Sequence, residues 1–195
     1  GTTDATAPPV PGPMTTGVLV LAAGRAVRFG TDKRLAALPD GRCVIETTLA
    51  NIRDSDLPFL VCLGEGDDEL VHHLNELKMP WLRCSRANEG MGGTLAEGVG
   101  HLPGWSGVLV ALADMPWIAP ATYRAVANRL AISNIVVPVC GDRWGHPVGF
   151  GCEFYPALAA LGGDAGARGL LDAYASRGTE VRVADAAIHR DIDVP

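Results

Sequence analysis

The stretch Gly17-Val-Leu-Val-Leu-Ala-Ala-Gly24 decides how the chain is read. Its first six residues are continuously apolar, without the alternation of a strand that has one wet face. Such a run suits a parallel strand buried on both sides. It stops at Ala23-Gly24, and a polar, cationic loop continues to Lys33. Pro58 to Gly64 and Gly107 to Leu112 are runs of the same kind, the latter leading straight into Ala113-Asp-Met-Pro116. Trp81 to Cys84, Asn134 to Val139, Val148 to Phe150 and Thr179 to Val183 read as further strands. Helical spacing covers Val44 to Arg53 and Asp67 to Leu77, with Asp67 or Asp68 as N-cap. It recurs over Pro120 to Leu130, Glu153 to Leu161 and Gly166 to Ser176, and from Leu95 to Leu102 after a flexible Glu89 to Thr94. Strands alternating with helices predict an α/β domain with a mostly parallel sheet. Ligands of such sheets sit beyond the carboxyl ends of the strands, near a topological switch point. Both the loop after Ala22 and Asp114 belong to such ends.

The 195 residues fit one domain, since domains commonly run ~100–200 residues. It is expected over residues 17–195, after a disordered tail at 1–16 that is rich in proline and lacks the cationic start and apolar core of a signal peptide. Hydrophobic residues make up 48% and charged residues 19%, an ordinary globular balance. The net charge of −6, with no run of lysine or arginine, argues against a nucleic-acid groove. No apolar run approaches the ~18 residues of a membrane span. The five cysteines, Cys43, Cys62, Cys84, Cys140 and Cys152, are scattered and lack the close spacing of a zinc knuckle or redox motif. They are expected to be reduced, mostly buried thiols of a cytoplasmic protein.

The chemistry concentrates in a few segments. In Ala22-Ala-Gly-Arg-Ala-Val-Arg-Phe-Gly-Thr-Asp-Lys33, Gly24 and Gly30 let the backbone turn and approach a ligand, and the N–H groups of such turns make an anion-binding nest. Arg25, Arg28 and Lys33 add cations suited to phosphate oxygens. The spacing is neither a Walker loop nor the dinucleotide fingerprint, and a surface loop with solvated charges is the alternative. Asp114, leaving the end of an apolar strand, suits Mg²⁺, which takes one or two carboxylates plus phosphate oxygens; a capping or turn aspartate is the alternative. Asp191-Ile-Asp193 would place two carboxylates on one side of a short strand, unless it is a solvated tail. Gly90-Met91-Gly92 can present N–H groups at the entry of a helix, or act as a linker. His146 reads alone as structural, and Asp164 as a helix cap. His72 and His73 are neighbours on a helix and point apart, so they read as a solvated face without a metal. Trp81, Trp105, Trp117 and Trp144 read as packing residues.

Taken together and in order, these segments resemble the molybdenum cofactor nucleotidyltransferase family, particularly its cytidylyltransferase branch. The resemblance rests on Leu21-Ala-Ala-Gly, Arg28-Phe-Gly30, Lys33, Gly90-Met91, Ala113-Asp-Met-Pro116, Gly145-His-Pro147, Gly163-Asp-Ala-Gly-Ala-Arg168 and Asp191-Ile-Asp-Val-Pro195. It implies a Rossmann-like three-layer sandwich, a mixed sheet with one late antiparallel strand. It further implies Mg²⁺-dependent transfer of CMP from CTP, or of another nucleotide from its triphosphate, to a molybdopterin-type cofactor. A molybdoenzyme or its chaperone enters as a partner. By the same resemblance Arg28, Lys33 and Asp114 are the catalytic residues, with Asp193 sharing the metal. Ala22, Ala23, Gly24, Arg25, Gly30, Gly90, Met91 and Gly92 surround the nucleotide. His146, Pro147, Asp164 and Arg168 face the acceptor. Ala23 is similar to the cytidylyl branch, where the guanylyl branch carries a second glycine. The chain departs from the family at Ala26, at Phe29, at Gly92-Gly93-Thr94 and at Ala96-Glu97, where a small hydroxyl residue, a methionine, a serine-rich stretch and a basic residue are usual. An acceptor such as a sugar phosphate, and a binding homologue without turnover, stay open beside the cytidylyltransferase reading.

Overall fold

A computed structural model describes residues 14–24, 27–28 and 31–192. The first strand, β1 (Thr16–Leu21), is buried along its whole length. Val18 and Val20 pack to one side and Leu19 and Leu21 to the other. That two-sided burial is what its unbroken apolar run required. A short hairpin, β2 (Val27–Arg28) and β3 (Thr31–Asp32), lies inside the loop that follows. Then come α1 (Val44–Asp54), β4 (Phe59–Gly64), α2 (Asp68–Glu76), β5 (Trp81–Cys84), α3 (Met91–Val99) and β6 (Gly107–Leu112). The second half adds α4 (Pro120–Arg129), β7 (Ile135–Cys140), β8 (Arg143–Trp144), β9 (Val148–Gly151), α5 (Tyr155–Ala159), α6 (Arg168–Ala173) and β10 (Gly178–Arg182).

The large sheet runs β10-β7-β9-β6-β1-β4-β5, with β8 on the flank of β7. All strands of that path are parallel except β9, which pairs antiparallel with both β6 and β7. The expected late antiparallel strand is therefore present, and the two-residue β8 is a second one. Helices cover both faces. α1, α2 and α4 pack Ile45, Leu49, Leu70, Leu74, Tyr123 and Val126 over one side of the central strands. α3 and α5 pack Leu95, Val99 and Leu158 over the other, so the molecule is a three-layer sandwich. The chain leaves β1 to one side toward β4 and returns to its other side with β6, which puts the topological switch point at the carboxyl end of β1.

Several boundaries differ from the sequence reading. Thr16, assigned to the tail, opens β1; the rest of that tail up to residue 13 lies outside the described residues. Glu89 to Thr94 is not a flexible entry. Ser85–Glu89 forms a 3₁₀ turn, and α3 begins at Met91, so the glycines make its first turn. Asp67 precedes α2 but makes no capping bond to it, because Arg34 and the Gly64 amide occupy its carboxylate. Asp191 and Ile192 form no strand; instead the Ile192 N–H donates to the Asp114 carbonyl at 2.8 Å. All five cysteines are free thiols, with Cys62 and Cys84 buried and the other three half-buried. No helix among the described residues is long and apolar enough to cross a membrane.

Candidate active site at the carboxyl ends of the central strands

β1 and β6 run in register, Leu21 beside Leu112, so the loops that leave them emerge side by side. The turn after β6 is held from below by α1. Thr48 Oγ1 donates to the Ala113 carbonyl at 2.7 Å, and Asn51 Nδ2 donates to the Pro116 carbonyl at 2.8 Å. Both carbonyls are thereby satisfied inside the protein, which fixes where the Asp114 carboxylate emerges. From the other loop, Lys33 Nζ reaches Asp114 Oδ2 at 3.0 Å. The pair lines a cleft of about 130 Å³, together with Ala22, Ala23, Gly24, Arg34 and Met91. Gly24 turns there with φ +96°, in the region where a side chain is strained.

Beneath this cleft lies a residue the sequence reading passed over. Arg34 is 4% exposed. Its Nη2 contacts Asp32 Oδ2 at 2.7 Å and Asp67 Oδ1 at 2.9 Å, and its Nη1 donates to the Ala22 carbonyl and to Asp67 Oδ2. It thus clamps the end of β1 to the start of α2. Burial pushes the guanidinium pKa down, but its bonds to Asp32 and Asp67 outweigh this and raise it. Burial likewise pushes the Asp32 carboxyl up, and Arg34 overrides it and holds it below the ordinary carboxylate value. The missed signal was positional. Gly64 to Asp67 also follows a buried strand at its carboxyl end, as Ala22 and Asp114 do.

Two larger hollows flank the small cleft. One, about 320 Å³, is lined by Gly24, Gly64, Glu65, Asp67, Ser85 and Asn88. The other, about 250 Å³, is mostly apolar and joins Met91, Leu95, Val110 and Leu112 to Trp144, His146 and Arg168. Trp144 is 38% exposed at its rim and not a packing residue, unlike Trp105, which is buried. Burial lowers the pKa of His146, only partly opposed by the charge of Asp114, so the ring is neutral at pH 7. Asp191 sits in an adjoining hollow with Trp144 and His146.

The sequence-derived candidates therefore divide. Ala22, Ala23, Gly24, Lys33, Met91 and Asp114 share one cleft, and His146 and Arg168 share the next. Gly90 and Asp164 meet elsewhere. Gly90 has φ +114°, and a side chain there would strike the Asp164 carboxylate. The Gly92 N–H is already spent on the Gly163 carbonyl at 2.9 Å, so this glycine serves the docking of the 162–165 turn rather than an open anion site. Asp164 caps no helix side-on, since α6 starts at Arg168 with Ala167 before it. Pro147 follows His146 through a cis peptide bond and lines neither hollow. Glu97, where a basic residue is usual, accepts from Ser85 Oγ at 2.8 Å and from the Arg86 amide at 3.2 Å, and so anchors the turn that walls the 320 Å³ hollow. Arg25, Gly30 and Asp193 lie outside the described residues, and Arg28 is described as part of β2.

The profile of the MobA-like NTP transferase domain fits residues 18–179. The chain belongs to that family. MobA-like domains are nucleotidyltransferases, and relatives extend the match over nearly the whole chain. A protein from Chloroflexus aggregans named as a probable molybdenum cofactor guanylyltransferase is 27% identical over 173 residues, 88% of this chain and 76% of its own. The crystal structure of Rv0371c from Mycobacterium tuberculosis superposes with a TM-score of 0.76 at 28% identity, covering 92% of this chain and 93% of that one. Its complex with manganese gives 0.73 at 25% identity, covering 87% and 89%.

Proposed function

We propose that this MobA-like domain transfers CMP from CTP to a molybdopterin-type cofactor with release of pyrophosphate, using Mg²⁺. The observation that carries the reading is the Lys33–Asp114 pair, in contact at 3.0 Å where the cleft meets the ends of adjacent strands. A metal-bound triphosphate entering the cleft meets one cation and one carboxylate side by side. Asp114 fits a Mg²⁺ ion. It is a partly exposed carboxylate fixed by its backbone, and this ion asks the protein for one or two carboxylates and takes its other ligands from phosphates and water. Asp193 is proposed as a second carboxylate. When bound, the metal neutralises phosphate charge.

The remaining steps belong to the chain. Lys33, with Arg25 and Arg28 proposed beside it, holds the triphosphate. Gly24 brings the backbone close to it. The base is assigned to the 320 Å³ hollow, where Glu65, Ser85 and Asn88 offer polar atoms. Ala23 lines the cleft beside Gly24, which lines both hollow and cleft, and its methyl is proposed to select against a purine. The apolar hollow with Trp144, His146 and Arg168 suits a flat heterocycle carrying an anionic group better than a sugar. An acceptor phosphate oxygen then bonds to the α-phosphorus of CTP. The bond from that phosphorus to the bridging oxygen breaks, and pyrophosphate leaves with the electron pair. The protein supplies alignment and charge, and no covalent intermediate is needed.

A second reading, a homologue that binds nucleotide without turning it over, is favoured by one observation: the Gly92 and Gly93 amides both point to the Gly163 carbonyl and are not open donors. Pyrophosphate release from CTP, GTP, ATP and UTP with Mg²⁺, with and without molybdopterin, separates the readings. Release that requires CTP and molybdopterin supports the transferase. Binding of CTP with no release under any condition supports the second reading. Equal release from all four triphosphates removes the cytidylyl assignment.

A further inference from the structure

Outside the residues that line the nucleotide cleft, three side chains with metal-binding chemistry converge between the start of α1 and α2. Cys43 immediately precedes α1, Glu46 lies in its first turn, and His73 lies on α2. One donor atom of each lies within 4.8 Å of the other two, and all three residues are half-buried. His72 is exposed and pairs with Glu76, so the two histidines do point apart, but only His72 belongs to the solvated face. His73 turns inward, and its Nε2 lies 3.3 Å from Cys43 Sγ.

That separation suits a shared ion. Zinc bonds of ~2.3 Å to sulfur and ~2.0–2.1 Å to imidazole, opened to a tetrahedral angle, place the two donors about 3.5 Å apart. Glu46 has three rotatable bonds to bring its oxygen onto the third position. A thiolate and a carboxylate together cancel the charge of a divalent ion, so the occupied site is neutral, as a half-buried position requires. We propose that Cys43, Glu46 and His73 form a site for a borderline-soft divalent cation of the zinc class, with water as fourth ligand. On binding, the Cys43 thiol proton passes to solvent and its sulfur pair forms the metal bond.

The site has a structural consequence. The Val44 N–H donates to the Ala36 carbonyl at 3.0 Å, and Ala37 bridges Cys43, so the metal would brace the segment that begins at Lys33. The same ion fastens that segment to α2, whose preceding residue Asp67 holds Arg34. Sulfur and imidazole ligands select against Mg²⁺, which keeps this site chemically separate from Asp114.

The test is titration of the chelator-stripped full chain with Co²⁺ and Zn²⁺. The expected result is one equivalent of Co²⁺ giving a thiolate-to-cobalt charge-transfer band and the intense visible bands of tetrahedral coordination, displaced by Zn²⁺, with a raised Tm. Cys43→Ser should abolish the charge-transfer band, His73→Gln should weaken Co²⁺ binding at least tenfold while keeping the thiol, and Cys140→Ser should change neither. The wild-type titration decides the matter even if a variant fails to fold. A wild-type spectrum without a thiolate band, or a band that survives in folded Cys43→Ser, overturns the proposal and leaves an ordinary thiol–imidazole hydrogen bond.

Discussion

Arg34→Met is the sharpest perturbation of the site that leaves its surface chemistry in place. The side chain replaced is 5% exposed and its partner Asp67 6% exposed, so water cannot take over their interaction. Removing one partner of a buried ion pair costs about 3–5 kcal/mol, because the other charge is left uncompensated. Asp32 adds less, being 21% exposed and able to rehydrate. The Ala22 carbonyl loses its donor as well, a cost of about 1–3 kcal/mol that overlaps the first where the site relaxes. Taking about 3–5 kcal/mol for the whole, and ~2–4 °C per kcal/mol for a chain of this size, the Tm should fall by about 6–20 °C. Urea unfolding should show the same loss with an unchanged m-value. Adding Asp67→Asn should restore part of it, since the buried carboxylate that lost Arg34 is then neutral. CTP affinity should drop in the folded single variant, because the carbonyl that ends β1 is no longer held. A Tm loss below about 3 °C, or no recovery in the double variant, would refute the clamp.

Three further outcomes follow from the same geometry. Lys33→Ala should weaken CTP binding about tenfold or more, the worth of a charged hydrogen bond of about 1.5–3 kcal/mol, and unchanged affinity by calorimetry would make the loop structural. Ala23→Gly should shift preference from CTP toward GTP in competition binding, and an unaltered ratio would show that the methyl does not select the base. His146 has its folded pKa lowered by burial, so its contribution is complete above the unfolded value near ~6.5 and is lost as pH falls below that, when the unfolded chain takes up the proton first. His146→Gln should flatten the decline in stability below ~pH 6.5, and identical pH profiles for both proteins would exclude this.

The strands were legible because a parallel sheet buried on both faces leaves an unbroken apolar run. β1, β4 and β6 could be read to within a residue, and the carboxyl ends of β1 and β6 then pointed to the candidate site. α3 was misread at its start because Met91-Gly-Gly-Thr94 has poor helix propensity, and the bonds of the Gly92 and Gly93 amides to the Gly163 carbonyl are tertiary contacts that no local pattern shows. Arg34 was invisible for a related reason. A buried arginine looks like a solvated one until its partners, two and thirty-three residues away, are folded around it. Cys43 and His73 show the same limit. Thirty residues separate them, so no spacing rule pairs them, and the inward turn of His73 depends on which face of α2 the sheet buries.

The resting pair Lys33–Asp114 carries a consequence for the order of binding. At 17% and 24% exposure the two side chains remain in contact with water, and such a pair is worth about 1 kcal/mol or less. It therefore acts as a placeholder. A metal-bound triphosphate offers Asp114 a cation and Lys33 an anion at once, so each group exchanges partners and neither is left bare. A triphosphate without metal offers only the second half of that exchange, and Lys33 must abandon Asp114 while the bare carboxylate faces the phosphates. Asp114→Asn removes both the competitor for Lys33 and the repulsion. Without Mg²⁺ this variant should bind CTP up to about fivefold more tightly than the wild type, the equivalent of about 1 kcal/mol. With Mg²⁺ it should lose turnover by about a hundredfold or more, because the charge on departing pyrophosphate is no longer met. Calorimetry in a chelator and pyrophosphate release with metal measure the two arms. Weaker metal-free binding in Asp114→Asn would mean that the carboxylate positions Lys33 for the nucleotide instead of competing for it, and the exchange would have to be abandoned.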